Sequence, residues 1–365
     1  MEKKVVKVLV SAPDPELMGG VSETVKLLVR ELEGSADVLY APFGRRKGQA
    51  GVAGYAMPFL DLFRFAFMLC RERFDVIHMN PSLNPRSVLK EFFLFVVFCL
   101  FGYSGRILLL IHGWEQDFFE RIASRPFALF VLRKVMKRAG AVLVLAGEFR
   151  DSLIGAGVDG GSIGVVTTMV DMSNIPTEPR PQRDCLTILS LSRLVRNKGV
   201  YEIIDAFGYL NRKYDNLELI MAGEGPERSG LEKAVSDKDL SNVHFPGYVR
   251  GRDKYQILEK SCIFLLPSRR EGCPVSLLEA MAAGLAPVVT DVGGIKDVIQ
   301  PGRTAVLLRE VSSAEISGAV ESLLADNDFR LRICADAARY AAEHFGSGMV
   351  TQAILRWYED ICSSR

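Results

Sequence analysis

The chain has 365 residues, 48% of them hydrophobic and 24% charged, with 45 basic against 44 acidic side chains. That length fits two domains of roughly 100–200 residues each, and this composition excludes an intrinsically disordered chain. With no long block of like charge, a broad nucleic-acid footprint is excluded too.

The opening stretch MEKKVVKVLVSAPDPE holds only a short apolar run, and Lys7 and the early Pro-Asp-Pro make it a poor signal peptide. Val5–Val10 reads instead as a first strand. Further short Val/Ile/Leu runs follow at 36–40, 75–79, 106–111 and 141–145, then at 186–191, 217–222, 262–266, 286–290 and 304–308, each pair separated by a longer helical pattern. Alternation of this kind predicts β-α-β units and parallel sheets covered on both faces, in two sets of five strands. Between the sets, MSNIPTEPRPQRD (Met172–Asp184) carries three prolines among polar residues and reads as a linker. The expected division is residues 1–175, residues 176–348, and a C-terminal helix in 349–365 that packs back toward the first domain. Its apolar Val350, Ile354, Trp357 and Ile361 recur at helical spacing.

The first half is the greasier one. Sixteen of 21 phenylalanines fall before residue 150, many in the helical stretches PFLDLFRFAFMLCRER (58–73) and EFFLFVVFCLF (91–101), and the basic clusters Arg45-Arg46-Lys47 and Arg133-Lys134…Lys137-Arg138 lie there as well. Aromatic residues beside cations suit contact with an anionic membrane surface or an amphiphilic, lipid-linked acceptor. An ordinary buried helix would look similar. The longest unbroken apolar run, Phe92–Phe101, is ten residues, where a spanning helix needs about 20. No transmembrane helix is expected. Seven cysteines (Cys70, Cys99, Cys185, Cys262, Cys273, Cys334 and Cys362) without a C-x-x-C pair suggest neither a zinc knuckle nor a disulfide framework, which fits a reduced cytosol.

The densest chemical signal is REGCPVSLLEAMAAGLAPVVTDVGG, residues 270–294. Glu271 and Gly272 sit on a loop after a strand, and a helix is expected over Pro274–Ala283 with Pro274 in its first turn, where its missing N–H costs nothing. Free amides at that helix start make an anion site. Glu279, inside the helix, and Glu271, on the loop, can line one pocket from different depths and accept hydrogen bonds from sugar hydroxyls. Gly19-Gly20 follows a strand and opens a helical pattern, so a pyrophosphate can approach its backbone closely. Arg193 and Lys198 bracket a strand-to-helix turn, where two cations can hold phosphates and absorb the charge of a leaving diphosphate. His112 ends the buried-looking strand LLLI, with Trp114 and Phe118-Phe119 either walling a pocket beside it or simply packing. His78, ending the strand before, is the second choice.

These segments together resemble the retaining glycosyltransferases of the GT-B fold, in the large family called family 4. The resemblance lies in Glu271-x7-Glu279, Ala-Met-Ala-x-Gly and Thr290-Asp291-x-Gly293-Gly294; in SRLVRNKG (Ser192–Gly199), MAGEGPER (Met221–Arg228), HFPGYV (His244–Val249) and LPSRREG (Leu266–Gly272); and, in the first half, in PELMGGVSETV (Pro15–Val25) and LLLIHGW (Leu108–Trp114). It implies two Rossmann-like domains facing across a cleft. It further implies transfer of a sugar from a UDP-, GDP- or ADP-sugar to a hydroxyl, with retention of configuration and no obligatory metal. No Asp-x-Asp follows any candidate strand.

On that resemblance Glu271, His112, Arg193 and Lys198 carry the chemistry. Donor contacts come from Gly19, Gly20, Arg193, Lys198, Gly223, Glu224, Gly247, Tyr248, Glu271, Gly272, Cys273, Val275 and Glu279, with Glu279 on the ribose and Glu271 on the transferred sugar. The acceptor is a glycan or a lipid-linked molecule, and the expected location is the cytoplasm, at the inner face of the cytoplasmic membrane. The chain departs from the family pattern in VVTTMVD (Val165–Asp171), where Thr168 and Met169 replace Asn-Gly, and at Cys273, where an aromatic is common. A non-catalytic nucleotide-sugar-binding subunit, or an epimerase or phosphorylase on the same fold, would share these features. A dinucleotide-dependent oxidoreductase is disfavoured, because the first strand runs into Ala-Pro-Asp-Pro-Glu rather than Gly-x-Gly-x-x-Gly.

Overall fold

The computed structural model describes residues 5–17, 19–48, 52–175 and 186–363. The chain forms two compact units, one made of Met1–Thr168 with Ser347–Arg365 and the other of Met169–Gly346. Most of the Pro-rich stretch expected as a linker, and Cys185 with it, lies outside the described residues. Its first residues form a short 3-10 turn, Met172–Asn174.

In the first unit the strands are β1 (Val6–Ala12), β2 (Ala36–Pro42), β3 (Val76–Met79), β4 (Ser82–Leu83), β5 (Ile107–Ile111), β6 (Gly113–Trp114), β7 (Ala141–Val144) and β8 (Ile163–Val165). Six of them make one parallel sheet in the order β2-β1-β3-β5-β7-β8, while β4 and β6 form a small ribbon of their own. Every residue of β3, β5 and β7 is buried, which explains their continuous apolar runs: a strand covered on both faces has no polar side to show. From β2 to β3, β3 to β5 and β5 to β7 the chain steps in one direction along the sheet. Right-handed crossovers therefore put helices Val52–Arg71, Val88–Leu100 and Pro126–Arg138 on the same face. There they share one core through Phe65, Phe98, Leu132 and Met136, each such side chain contributing about 1.5–3 kcal/mol by leaving water. The step from β1 to β2 runs the other way and sends helix Gly20–Leu32 to the opposite face. The C-terminal helix, Ser347–Ser363, joins this unit: Ser347 donates to Glu31 at 2.9 Å, and Tyr358 Oη lies 2.6 Å from His78 Nδ1.

The second unit has β9 (Thr187–Leu191), β10 (Glu218–Ala222), β11 (Val243–Gly247), β12 (Ile263–Leu266), β13 (Ala286–Thr290) and β14 (Val306–Leu308), all parallel, in the order β11-β10-β9-β12-β13-β14. That is the dinucleotide-fold order. Both sheets thus have six strands where five were expected. The two that escaped notice, β8 and β11, are edge strands, and β11 carries Pro246, which only an edge tolerates. HFPGYV is accordingly strand as far as Gly247, and only then a loop. Among the described residues no helix is long and apolar enough to cross a membrane, and Cys262, Cys273 and Cys334 are buried.

Candidate active site

In the second unit the chain leaves β9, builds β10 and β11 outward on one side, and returns to β12 on the other. Ligands of open α/β sheets bind at such a switch, beyond the carboxyl ends of the two diverging strands. The turn Ser192–Lys198 follows β9 and the loop Pro267–Glu271 follows β12, so both expected site segments meet here. Arg269 N–H donates to Asn197 O at 2.7 Å, and Lys198 Nζ forms an ion pair with Glu271 Oε1. Ser268, fully buried, donates from Oγ to the same Glu271 oxygen at 2.7 Å, while its carbonyl accepts from Thr290 Oγ1. Glu271 is therefore oriented by a cation and a hydroxyl together. Arg193 is exposed and its side chain has no hydrogen-bond or ion-pair partner among the described residues, leaving its guanidinium available to a phosphate.

Backbone packing fixes this switch. A Cβ on Gly223, whose φ is +144°, would lie 1.9 Å from Ser192 O, and one on Gly293, at φ +57°, would lie 1.9 Å from Glu271 O. Only glycine lets these turns approach so closely. The Glu271 loop is further tied by Gly294 N–H donating to Gly272 O at 2.6 Å.

Helix Val275–Ala282 begins one residue later than expected, with Pro274 as its N-cap rather than in its first turn, and no side chain caps it. Glu279 is buried within it and pairs with Lys254 Nζ at 2.6 Å. Lys254 also lies over the ring of Tyr255, at 5.3 Å from its centroid. Burial raises the Tyr255 phenol, with Lys254, Glu279 and Asp171 acting on it as well. Asp171 caps the 3-10 turn by accepting from Ser173 N–H at 3.1 Å. The departure at Thr168-Met169 costs no unusual backbone, since both are buried without positive φ.

Of the remaining expected donor contacts, Glu224 is exposed and paired with Arg228, Gly247 N-terminal to exposed Tyr248 ends β11, and Cys273 is buried. Val275 is half-buried at the helix start. Lys254, Tyr255 and Ser268 were not anticipated. Lys254 is one lysine in a polar helix, and nothing in its neighbours marks it.

In the first unit Gly19 is the N-cap of Gly20–Leu32, and its carbonyl accepts from Glu23 N–H at 3.2 Å. His112 follows β5, nearly buried, with Nε2 at 2.8 Å from Asn80 Oδ1, while Asn80 Nδ2 donates to Ser11 O at 3.1 Å. An amide oxygen only accepts, so His112 carries its proton on Nε2 and leaves Nδ1 as the acceptor. Burial lowers its pKa to about 4, and the ring stays neutral near pH 7. His78 is fully buried, its pKa lowered to about 3 by burial and then by His112, and its Nδ1 is engaged by Tyr358. It belongs to the core. Trp114 stacks on Phe149 at 4.7 Å, and Phe119 is buried beside it, so these rings pack. Among the described residues no group of three or more His, Cys, Asp or Glu side chains is arranged to hold a metal ion.

Residues 172–341 match the family described as glycosyl transferases group 1. The chain is 26% identical to the α-D-kanosaminyltransferase of Streptomyces kanamyceticus over 255 residues, which take in 67% of this chain and 66% of that enzyme, just under two thirds of its length. Among solved structures, the sucrose-phosphate synthase of Thermosynechococcus elongatus superposes with a TM-score of 0.80 at 15% identity, covering 98% of this chain and 99% of that one. HepE of Anabaena, crystallised with UDP and glucose, gives 0.74 at 16% identity over 96% and 98%. The fold is GT-B, and the likeness to glycosyl transferases group 1 lies in residues 172–341, just under half of the chain.

Proposed function

We propose that the chain moves a sugar from a nucleotide-diphospho-sugar, a UDP-sugar in the first instance, to a hydroxyl of a glycan or lipid-linked acceptor with retention of configuration. The observation that carries this reading is the Lys198–Glu271 pair at the switch between β9 and β12, with Glu279 held below it on the helix that the same loop opens. In this reading Glu279 takes the ribose hydroxyls and Arg193 and Lys198 the diphosphate, with the amides at Gly19 and Gly20 available to the same phosphates. Glu271, already holding Lys198, takes the hydroxyls of the transferred sugar, and His112 offers Nδ1 to a sugar hydroxyl.

The bond from the anomeric carbon to the diphosphate oxygen breaks as the bond to the acceptor oxygen forms. The acceptor's proton passes to the departing diphosphate. Charge grows on that diphosphate, and cations fixed at its position stabilise it most as the bond breaks. Metal ions are not required in this scheme, because Arg193 and Lys198 supply the positive charge. Work at the inner face of a membrane follows if the acceptor is lipid-linked.

The test is a thermal-shift screen of UDP-, GDP- and ADP-sugars, since a ligand bound only by the folded chain raises the melting point, followed by product analysis with candidate acceptors. A shift with one donor, and a product that by NMR keeps that donor's anomeric configuration, supports the proposal. A shift without transfer to any acceptor makes the chain a binding subunit, and a rearranged donor makes it an epimerase.

A further inference from the structure

Fifteen large hydrophobic side chains are exposed among the described residues, and nine of them lie on the three helices Val52–Arg71, Val88–Leu100 and Pro126–Arg138 that cover one face of the first unit's sheet. The second unit exposes only Tyr209 and Tyr248 in this class. Scattered exposed apolar residues need no explanation, but a layer of them does. On Val52–Arg71, Phe59, Phe63 and Phe67 recur every fourth residue and so form a single outward stripe, with Phe63 76% exposed. The same helix buries Phe65 and Leu69 on its other side. It is therefore apolar on both faces, and core packing accounts for only one.

Charge decides what covers the stripe. Helix Pro126–Arg138 has the sequence PFALFVLRKVMKR, with four cations and no acid. It buries Leu132 and Met136 and exposes Phe127, which is 80% exposed, together with Phe130, Lys134, Lys137 and Arg138. Lys134 lies over the Phe130 ring at 5.3 Å, and Arg71 over Phe67 at 4.2 Å, so cations edge the aromatic side chains on both helices. Pairing two copies through this layer in the symmetric way common to dimers would set Lys134, Lys137 and Arg138 near their own counterparts, which like-charge repulsion opposes. Aromatic rings flanked by lysine and arginine suit a plane of apolar chains capped by anionic headgroups.

We propose that this three-helix layer seats the chain on an anionic lipid surface, with Phe59, Phe63, Phe67 and Phe127 entering the headgroup boundary and Lys134, Lys137 and Arg138 binding the headgroups. The surface deepens the lipid-linked acceptor reading and rests on it only for its purpose. Such binding holds the transferase where an acceptor with a lipid anchor is concentrated. The layer lies in the first unit, and its three helices hold none of the residues assigned to the donor or the sugar, so its binding can be measured apart from catalysis.

The experiment sediments the full chain with vesicles of phosphatidylcholine alone and of phosphatidylcholine mixed with phosphatidylglycerol, at low and high salt, without donor. Binding to the anionic vesicles that weakens with salt is expected. The triple variant Lys134→Gln, Lys137→Gln, Arg138→Gln should partition on the order of 10²-fold less well to them, from the loss of three surface cations. The variant Phe59→Ser, Phe63→Ser, Phe67→Ser should lose binding while keeping its melting point and its thermal shift with UDP-sugar. No sedimentation of the unaltered chain at low salt overturns the proposal, as does a concentration-dependent dimer that the Phe→Ser variant disperses while vesicles remain unbound. Vesicle binding without any sugar transfer leaves the surface standing and sinks the transferase reading instead.

Discussion

Lys254 Nζ stands 2.6 Å from Glu279 Oε1, joining helix Gly251–Lys260 to helix Val275–Ala282 through two side chains that are 20% and 9% exposed. A carboxylate buried that far needs a partner. The lysine supplies one, and in the proposed scheme the donor's ribose hydroxyls bond to the same carboxylate.

Lys254→Ala should therefore lower stability by about 1–3 kcal/mol, the cost of leaving a buried charged group without its partner. Adding Glu279→Ala should restore part of that loss, since removing both groups leaves no orphan charge. Glu279→Ala alone should weaken donor binding by about 1.5–3 kcal/mol with the fold intact. Urea denaturation of the two single variants and the double variant, with donor titration alongside, checks all three. A double variant no more stable than Lys254→Ala would disconnect the pair.

Lys198 has two jobs in the proposed scheme, orienting Glu271 and stabilising the leaving diphosphate, whereas Arg193 has only the second. Both Lys198→Ala and Arg193→Ala should depress turnover by about 10²-fold or more. Only Lys198→Ala should also alter the discrimination between donor sugars, because Glu271 loses its cation and keeps only Ser268. Activity should persist in excess EDTA. Abolition by EDTA with recovery on adding magnesium or manganese would remove the cations from the diphosphate role.

Much of this was legible in the residues because the site is made of short contiguous segments. Gly-x-Gly turns, Arg193…Lys198 and Glu271-x7-Glu279 each follow a strand, and a parallel sheet gathers strand ends by construction. What was not legible depends on contacts between segments distant in the chain. Lys254 reaches Glu279 across 25 residues and Ser268 gains its meaning only once Thr290 holds its carbonyl. His78 looked like a candidate because strand-end histidines resemble one another in sequence. Tyr358, 280 residues later, fills its Nδ1. The edge strands β8 and β11 escaped for different reasons: β8 is only three residues long with a glycine at its centre, while β11 carries His244 and Pro246, as turns do.

The two strand-end histidines make stability depend on pH. Both fall below the usual 6.5, His112 to about 4 and His78 to about 3, chiefly through burial. The unfolded chain takes up these protons near pH 6.5 while the folded chain refuses them. Stability is thus fully present above pH 6.5 and is lost as the pH falls toward 4, at about 1.4 kcal/mol per pH unit for each histidine. His112→Asn should flatten the dependence by about one such increment in denaturation curves between pH 6.5 and 4. An unchanged slope would show that His112 is already protonated in the folded state.

Gly293 offers a test of how tightly the Glu271 loop must be held. Its φ of +57° lies in the left-handed region, and an added Cβ would meet Glu271 O at 1.9 Å and Gly272 O at 3.2 Å. Both are backbone atoms, so no side-chain rotation relieves the clash and the loop itself must move. Glu271 is pinned at its other end by Lys198 and Ser268, so a displaced loop breaks that arrangement instead of carrying it along. Gly302 makes the matched control: its φ is +73°, but nothing lies within 4 Å of where its Cβ would stand. Both Gly293→Ala and Gly302→Ala incur the left-handed penalty of about 1–2 kcal/mol, while only the first disturbs Glu271. Gly293→Ala should cut turnover by about 10²-fold, as expected when a positioned group moves by about an ångström. Its affinity for UDP without sugar should change little, because Glu279 and Arg193 lie outside the displaced loop. Gly302→Ala, which carries the left-handed penalty without the clash, should lose less melting temperature and keep its activity. Equal activity in the two variants would show that the position of the Glu271 loop does not limit the reaction.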